Sequence, residues 1–279
     1  MKKIIAALTV GLTLLMTANR SEAVSITLYD GASNVTPDQY NSPSPWLTFT
    51  SLFGGTQGAS GGVTNLDTST NNITYAGYSN YSVNAPTTPV NPLFPGLDRN
   101  AGYTLSFTVR INSQVNDGTN GANRAGFSVI VLSSDKQGIE LGFRNNVGFI
   151  NDDIFAQNNS SFNGGGEQNT GVSALLGSLT TYDLNVFGSS YTLSNGANSL
   201  LTGSLRDYTA ATGLGSQVYN TPNFIFLGDD TTSARANIDL ANVSITVPDE
   251  VPEPSTIPSA VLLVGGFLVL KKKYAQLAK

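Results

Sequence analysis

Residues 103–111 restrict the fold of this chain more than any other segment. The odd-numbered residues of this segment are large and apolar, and the even-numbered residues between them are polar or charged. Successive side chains of a β-strand point to opposite faces of a sheet, so the pattern predicts a strand with one buried face and one wet face. Half-buried strands of this kind are typical of antiparallel sheets.

Two nearby segments also read as strands. Residues 127–132 are apolar on both faces except at Ser128, which predicts a central strand that is covered on each side. Residues 138–143 alternate, with their odd-numbered apolar residues facing inward and with Glu140 and Arg144 on the opposite side. We interpret Arg144 as the partner of Glu140 in a surface ion pair.

The next segments form a meander. Residues 182–186 alternate, residues 191–194 run back, and Asn195 and Gly196 suit the tight turn of a hairpin before residues 199–202.

The last strand, residues 236–247, changes phase along its length. Ile238 and Leu240 lie in one phase, whereas the apolar residues after Ala241 and Asn242 lie in the other. Such a slip predicts a β-bulge, because otherwise half of the apolar set would face water.

Composition supports an all-β fold and excludes several kinds of site. Only 12% of the residues are charged, Gly occurs 29 times, and there is no Cys and no His. Short strands with many turns fit this composition better than helices do. Without these two residue types, disulfides, Ser-His-Asp or Cys-His catalysis and His-ligated zinc are excluded. The net charge of −5 makes nucleic acid an unexpected partner.

The strand succession in residues 103–247 resembles a known fold family. It includes GFSVIV, GIELGF, the meander YDLNVFGSSYTLSNGANSLLTG and the closing IDLANVSI. This order is similar to a concanavalin A-like or laminin-G-like jelly roll. The resemblance implies one antiparallel jelly-roll β-sandwich over residues 24–247. An immunoglobulin-like sandwich is the alternative, although at this length it would form two domains, and no linker divides the segment.

The N-terminal residues 1–23 have the pattern of a secretory signal peptide. Lys2 and Lys3 precede the apolar run at 4–16, and the small-x-small pattern Ser21-Glu22-Ala23 follows. The mature chain is expected to begin at Val24. The alternative is a membrane anchor, for which the apolar run is short.

The C-terminal residues resemble a sorting signal. A Pro-rich linker at 248–256 contains the motif Val251-Pro252-Glu253-Pro254-Ser255, and the segment at 257–279 holds an apolar run and the basic stop Lys271-Lys272-Lys273. These parts, in this order, resemble the PEP-CTERM signal of bacterial exosortase substrates. The resemblance implies an exported protein, an exosortase-type sorting enzyme as partner, and transient membrane contact through a C-terminal hydrophobic helix. A permanent tail anchor is the alternative, but the run falls short of the roughly 20 residues of a full span.

Oxygen ligands that suit calcium are concentrated in three places. The residues with this chemistry are Asp117, Asn123, Asp152, Asp153, Asp229 and Asp230. The alternative is that Asp and Asn occur there because they favour turns.

Three tyrosines, Tyr75, Tyr78 and Tyr81, are spaced by three residues. Their rings are candidates for stacking on sugars, and the alternative is that they are edge and loop aromatics.

Catalysis is not expected. Glycan hydrolysis uses paired carboxylates, and no second acid shares the face of Glu140 within its strand. We therefore predict a non-catalytic protein of the cell surface or extracellular matrix that binds exopolysaccharide or another matrix component. A calcium-dependent lectin and a glycan hydrolase of the jelly-roll glucanase type are the alternatives.

The sorting interpretation predicts that the C-terminal segment is removed. Mass spectrometry of the extracellular form is expected to detect peptides throughout residues 24–247 and none from residues 261–279. Recovery of peptides from that segment would instead indicate a retained anchor.

Overall fold

The computed structural model describes residues 23–70, 73–82, 85–116, 124–145, 152–160, 164–213 and 215–249, without the side chains of residues 85–87 and 165. The predicted signal peptide up to residue 22, the motif at 251–255 and the segment at 257–279 lie outside these ranges, as do Asp117 and Asn123. Among the described residues, no helix is long and apolar enough to cross a membrane.

Residues Ala23–Pro248 form one compact unit that consists mainly of β-strands. A short helix α1 (Ser173–Leu176) and 3₁₀ helices at Gly31–Ser33 and Ser216–Asn220 interrupt the strands. The strands in the described part of the chain are β1 (Ala23–Asp30), β2 (Thr48–Leu52), β3 (Thr56–Ser60), β4 (Val63–Asp67), β5 (Tyr75–Ser79), β6 (Tyr81–Ser82), β7 (Ala85–Pro89), β8 (Tyr103–Asn116), β9 (Phe127–Leu132), β10 (Gln137–Arg144), β11 (Asp153–Gln157), β12 (Gly164–Thr170), β13 (Thr180–Phe187), β14 (Ser190–Asn195), β15 (Asn198–Ser204), β16 (Arg206–Asp207), β17 (Phe224–Asp229) and β18 (Ala234–Pro248).

The strands pair into two large antiparallel sheets. The back sheet has the order β15-β14-β13-β8-β18-β4-β3, and β1 also pairs with β18. The front sheet has the order β12-β11-β10-β9-β17-β5-β2, and β16 pairs with β10. Strands β6 and β7 form a separate hairpin. The predicted antiparallel jelly-roll sandwich is confirmed.

The registers confirm two local predictions. In β18 the pairing with β8 shifts between Leu240 and Asn242, which is the expected bulge. Strands β14 and β15 are joined by the expected hairpin, whose Gly196 has a φ of 55°.

The first strand pairs with the last one. β1 runs antiparallel to β18, with Ala23 opposite Pro248 and Val24 opposite Val247. The two ends of the compact unit therefore lie side by side in the back sheet.

The apolar faces of the two sheets pack against each other. The rings of Phe107, Phe143 and Tyr182, from one strand of the front sheet and two of the back sheet, lie with centroids 5.4–5.8 Å apart. All three are fully buried. Aromatic pairs in such arrangements contribute about 0.5–1.5 kcal/mol each beyond the burial of their surface.

A second apolar cluster covers the outer face of the front sheet. Strands β9 and β17 are buried on both faces, as predicted for β9. Their outward residues pack under aromatic and aliphatic side chains from residues 205–213 and 215–220 and from β6. The members of this cluster are Tyr81, Ile130, Leu132, Tyr208, Val218, Tyr219, Phe224 and Phe226.

Phe107→Ala is expected to lower the free energy of unfolding by about 3–5 kcal/mol, because it leaves a cavity in the middle of the core. Phe187→Ala is the matched control, since the Phe187 side chain is 64% exposed and its loss should cost less than about 0.5 kcal/mol. Urea denaturation measures both. Equal costs for the two variants would contradict this description of the core.

Candidate functional site

A cleft of about 140 Å³ opens on the outer face of the front sheet. Strands β2, β5 and β17 form its floor, and the 3₁₀ helix Ser216–Asn220 forms one wall. The lining includes the aromatic rings of Tyr75, Tyr219 and Phe226 and the polar side chains of Thr50, Gln217 and Asp230. A few polar groups on an apolar, concave lining are typical of ligand-binding sites, although this cleft is smaller than most of them.

Two facing glycines give the cleft its floor. Gly77 of β5 lies opposite Gly228 of β17 in the antiparallel register. The ring of Phe226 lies over Gly77, where an added Cβ would collide with the ring and come within 2.7 Å of the carbonyl oxygen of Leu227. Glycine is therefore required at position 77 to leave room for the Phe226 ring.

Two glycines with positive φ precede the 3₁₀ helix that forms the wall of the cleft. Gly213 and Gly215 have φ angles of 109° and 81°, which other residues rarely adopt. They precede Tyr219, whose hydroxyl group donates a hydrogen bond to Oε2 of Glu140. The wall is thus attached to the sheet through a buried carboxyl group.

Glu140 lies behind the cleft and is completely buried. Its Oε1 accepts a hydrogen bond of 3.1 Å from Nε2 of Gln157. The NH2 group of Arg124 lies 3.7 Å from the same oxygen and 3.2 Å from Oδ2 of Asp230. One guanidinium group therefore contacts two carboxyl groups, one on β10 and one directly after the end of β17.

Burial dominates the protonation of these acids. Burial and, after it, nearby Asp230 together raise the pKa of Glu140 to about 8 against the opposing effect of Arg124. Burial also raises the pKa of Asp229 well above its ordinary value, although hydrogen bonds from Thr68 and from the backbone N–H of Thr231 oppose this. Near neutral pH Glu140 therefore keeps its proton, and burial favours the protonated form of Asp229 as well.

The predicted ion pair between Glu140 and Arg144 is wrong. Arg144 instead pairs with Asp153, which lies directly opposite it on β11 and also accepts a hydrogen bond from Gln168. The guanidinium group of Arg144 also lies 4.3 Å from the centre of the Phe155 ring. A directly opposite residue is closer than one four positions away along the same strand.

Three of the candidate calcium ligands already have other partners in the structure. Asp153 is paired with Arg144, Asp230 with Arg124, and Asp229 accepts hydrogen bonds from Thr68 and Thr231. Across the described ranges, which include Asp152, no group of three or more acidic side chains could hold a metal ion.

The three spaced tyrosines do not form a common platform. Tyr78 is fully buried, and its hydroxyl group donates to Oε1 of Gln57 at 2.9 Å. Tyr81 is buried in the outer cluster against Phe224. The sugar-stacking prediction is therefore wrong for these two residues, because their rings present no free face. Only Tyr75 lines the cleft.

The sequence did not reveal the partners of Glu140. Arg124, Tyr219 and Asp230 come from three separate segments that the topology brings together. The high Gly content of residues 213–215 and the apolar residues at 218 and 219 were the one local signal that this segment packs on the sheet.

Comparison with known proteins gives structural similarity only. No protein-family model and no curated protein matches the chain. Three solved structures with similar folds are a carbohydrate esterase of the Shiga toxin-encoding bacteriophage phi24B (10% identity, 81% of this chain and 100% of that chain, TM-score 0.45), peanut lectin (12%, 81% and 97%, 0.40), and domain 4 of the extracellular GH43 arabinanase AbnA from Geobacillus stearothermophilus with arabinotriose (14%, 80% and 93%, 0.41). Similarity at this level assigns neither a function nor a ligand to this chain.

Glu140→Gln is expected to remove a pH dependence of stability. In the folded protein the carboxyl group keeps its proton up to a pH of about 8, whereas in the unfolded chain it ionises near 4.5. The folded state thus binds more protons in this range, so the free energy of unfolding falls as the pH rises from about 4.5 to about 8. At roughly 1.4 kcal/mol per pKa unit, the effect amounts to a few kcal/mol. Urea denaturation at several pH values in this range measures it.

Asp239→Asn is the matched control for that measurement. Despite burial, hydrogen bonds from Asn65 and Arg110 hold the pKa of Asp239 below its ordinary value. Asp239→Asn should therefore change the free energy of unfolding, but not the slope of that free energy against pH above a pH of about 5. If Glu140→Gln shows the same slope as the wild type, the proposed protonation of Glu140 is incorrect.

Proposed function

We propose that this protein is a non-catalytic, exported carbohydrate-binding protein and that the cleft on the front sheet is its sugar site. The cleft carries the proposal because it places aromatic rings beside hydrogen-bonding groups. Tyr75 offers a ring face for the apolar side of a sugar ring, and the buried rings of Tyr219 and Phe226 complete the apolar lining. Asp230, Gln217 and Thr50 offer partners for the sugar hydroxyl groups.

The polar groups of the cleft also favour a hydroxyl-rich ligand. The side-chain amide of Gln217 can donate and accept hydrogen bonds, and a carboxyl oxygen of Asp230 can accept one. Because Arg124 already pairs with Asp230, this carboxylate is held in one orientation. Pre-positioned donors and acceptors of both kinds suit alternating hydroxyl groups.

Binding without catalysis is the better interpretation of the acids. Glycoside hydrolysis needs two carboxyl groups that reach the glycosidic bond from opposite sides, at roughly 5–9.5 Å from each other. Glu140 is fully buried and bonded to Tyr219 and Gln157, so it does not reach a ligand in the cleft. Asp229 and Asp230 are neighbours at the end of a single strand.

The proposed location of the protein is inferred from its terminal segments. The signal-peptide pattern at 1–23 and the PEP-CTERM-like motif at 251–255 support export, sorting by an exosortase-type enzyme, and residence at the cell surface or in the extracellular matrix. In that setting the ligand is expected to be exopolysaccharide or another glycosylated matrix component.

Tyr75→Ala and Asp230→Asn are expected to weaken sugar binding. Loss of the aromatic face should weaken binding about three- to tenfold, and loss of a charged acceptor about tenfold or more. A glycan array selects a ligand for the wild type, and titration calorimetry then measures the affinities. Tyr75→Phe, which keeps the ring, and Asp135→Asn, on an exposed turn, are the controls.

Two results would contradict the proposal. One is the absence of binding across a wide glycan array, and the other is unchanged affinity in both cleft variants. Release of reducing ends from a bound polysaccharide, lost in Glu140→Gln, would show instead that the protein is a hydrolase.

A further inference from the structure

The outer face of the back sheet carries two rows of small polar side chains. The rows cross β1, β18, β8, β13, β14 and β15 in register, and ten of their twelve members have a hydroxyl group. The first row consists of Ser25, Thr246, Thr104, Asn185, Thr192 and Thr202. The second consists of Thr27, Ser244, Ser106, Asp183, Ser194 and Ser199. We call these residues the hydroxyl rows.

The register fixes the dimensions of the hydroxyl rows. Neighbouring strands lie about 4.8 Å apart, and residues two positions apart in a strand lie about 6.8 Å apart. Six strands give each row a length of roughly 24 Å. The twist of about 20–25° between neighbouring strands makes the rows a gently twisted band. All twelve side chains are exposed or half-buried.

Solubility alone does not account for this surface. The solvent face of a soluble domain usually mixes charged side chains of both signs. The hydroxyl rows contain one ionisable group, Asp183, which accepts a hydrogen bond of 2.6 Å from Ser106. Hydrogen bonds join some members of the rows, namely Thr246 with Ser25 and Asn185 with Thr104 across strands, and Ser199 with Thr202 within β15. Over roughly 24 Å the rows still present exposed or half-buried hydroxyl groups with a single ionisable side chain among them.

An exposed aromatic ring borders the hydroxyl rows. Phe187 lies on β13, two residues beyond Asn185 and on the same face, and its side chain is 64% exposed. Strand neighbours on this face include Ser190, which lies opposite Phe187 on β14. An exposed phenyl ring beside hydroxyl groups matches the two sides of a sugar ring, one apolar and one polar.

We propose that this face binds an extended, neutral polysaccharide chain that lies across the strands along the hydroxyl rows, with one sugar ring stacked on Phe187. The proposal rests on the carbohydrate-binding function proposed above, but it uses a surface on the opposite sheet from the cleft. Each hydroxyl group both donates and accepts, so the rows can pair with sugar hydroxyl groups in either direction.

The length and charge of the surface select this kind of ligand. A row across six strands is longer than a single sugar, so a polymer can contact more of its hydroxyl groups than a monosaccharide can. Each hydrogen bond made in water contributes little, and affinity must come from many contacts in one chain. An anionic polymer is disfavoured because the rows contain no Lys or Arg and the chain has a net charge of −5.

The triple variant Thr104→Val/Thr192→Val/Thr202→Val tests the hydroxyl rows. Valine keeps the shape and the strand propensity of threonine but removes its hydroxyl group. The full-length protein and its variants are assayed for retention on insoluble cellulose, β-1,3-glucan and mannan, and for affinity to their hexasaccharides. The triple variant and Phe187→Ala are expected to lose at least about tenfold of their affinity for a retaining polymer.

Controls separate this surface from the cleft. Thr56→Val removes an exposed hydroxyl group from β3, outside the rows, and should bind polymer like the wild type. Tyr75→Ala should lose affinity for short glycans while the triple variant keeps it. Thermal unfolding confirms that each variant is folded. If the cleft variants bind like the wild type while the triple variant loses polymer binding, the cleft proposal fails and the present one stands.

Several outcomes would overturn the proposal. They are retention of the triple variant at wild-type strength, no retention of the wild type on any of the three polymers, and binding to an anionic polymer such as alginate alone. Dimerisation of the wild type that the triple variant abolishes, without polymer binding, would identify a second copy of the chain as the occupant of this face.

Discussion

The outward apolar residues of the front sheet impose the arrangement on which the candidate site depends. Four apolar side chains point away from the core between the sheets, Ile130 and Leu132 on β9 and Phe224 and Phe226 on β17. Exposing them to water would be unfavourable, so another part of the chain must cover them. Residues 205–213 and 215–220 supply the cover. Because they cover only part of the sheet, their edge forms the wall of a cleft.

The same cover determines the electrostatics of the site. A carboxyl group under an apolar layer loses its hydration, and Glu140 compensates with a proton and with hydrogen bonds from Tyr219 and Gln157. Arg124 is the cation within reach of Glu140 and Asp230. The cleft and its buried acids therefore form one unit, in which protonation and the position of the wall depend on each other.

Periodicity predicted the features that depend on a single strand or on neighbouring strands. The alternation of β8, the bulge in β18 and the hairpin at Gly196 all follow from local steric rules, and the structure confirms them. Which strands become neighbours depends on the whole fold. For that reason the partner of Arg144 was predicted incorrectly, since Asp153 is opposite it only after β10 and β11 have paired.

Side-chain direction explains the mixed outcome for the tyrosines. Within β5, Tyr75 and Tyr78 are an odd number of positions apart, so they point to opposite faces. One ring reaches the cleft and the other enters the core. The hydroxyl rows could not be predicted from the sequence for a related reason. Thr and Ser residues of separate strands form a row only through the registers of five strand pairs.

The pairing of β1 with β18 has a consequence for the order in which this fold can assemble. β18 lies between β8 on one side and β1 and β4 on the other, so the strand that joins these parts of the back sheet is the last to be synthesised. A chain that emerges N-terminus first, from a ribosome or a membrane channel, must keep β1 without its partner until residue 248 has appeared. Such long sequence separations slow folding and leave strand edges exposed in the meantime. The back sheet is thus completed late, and a chain truncated before β18 would lack the strand that joins its first and middle segments.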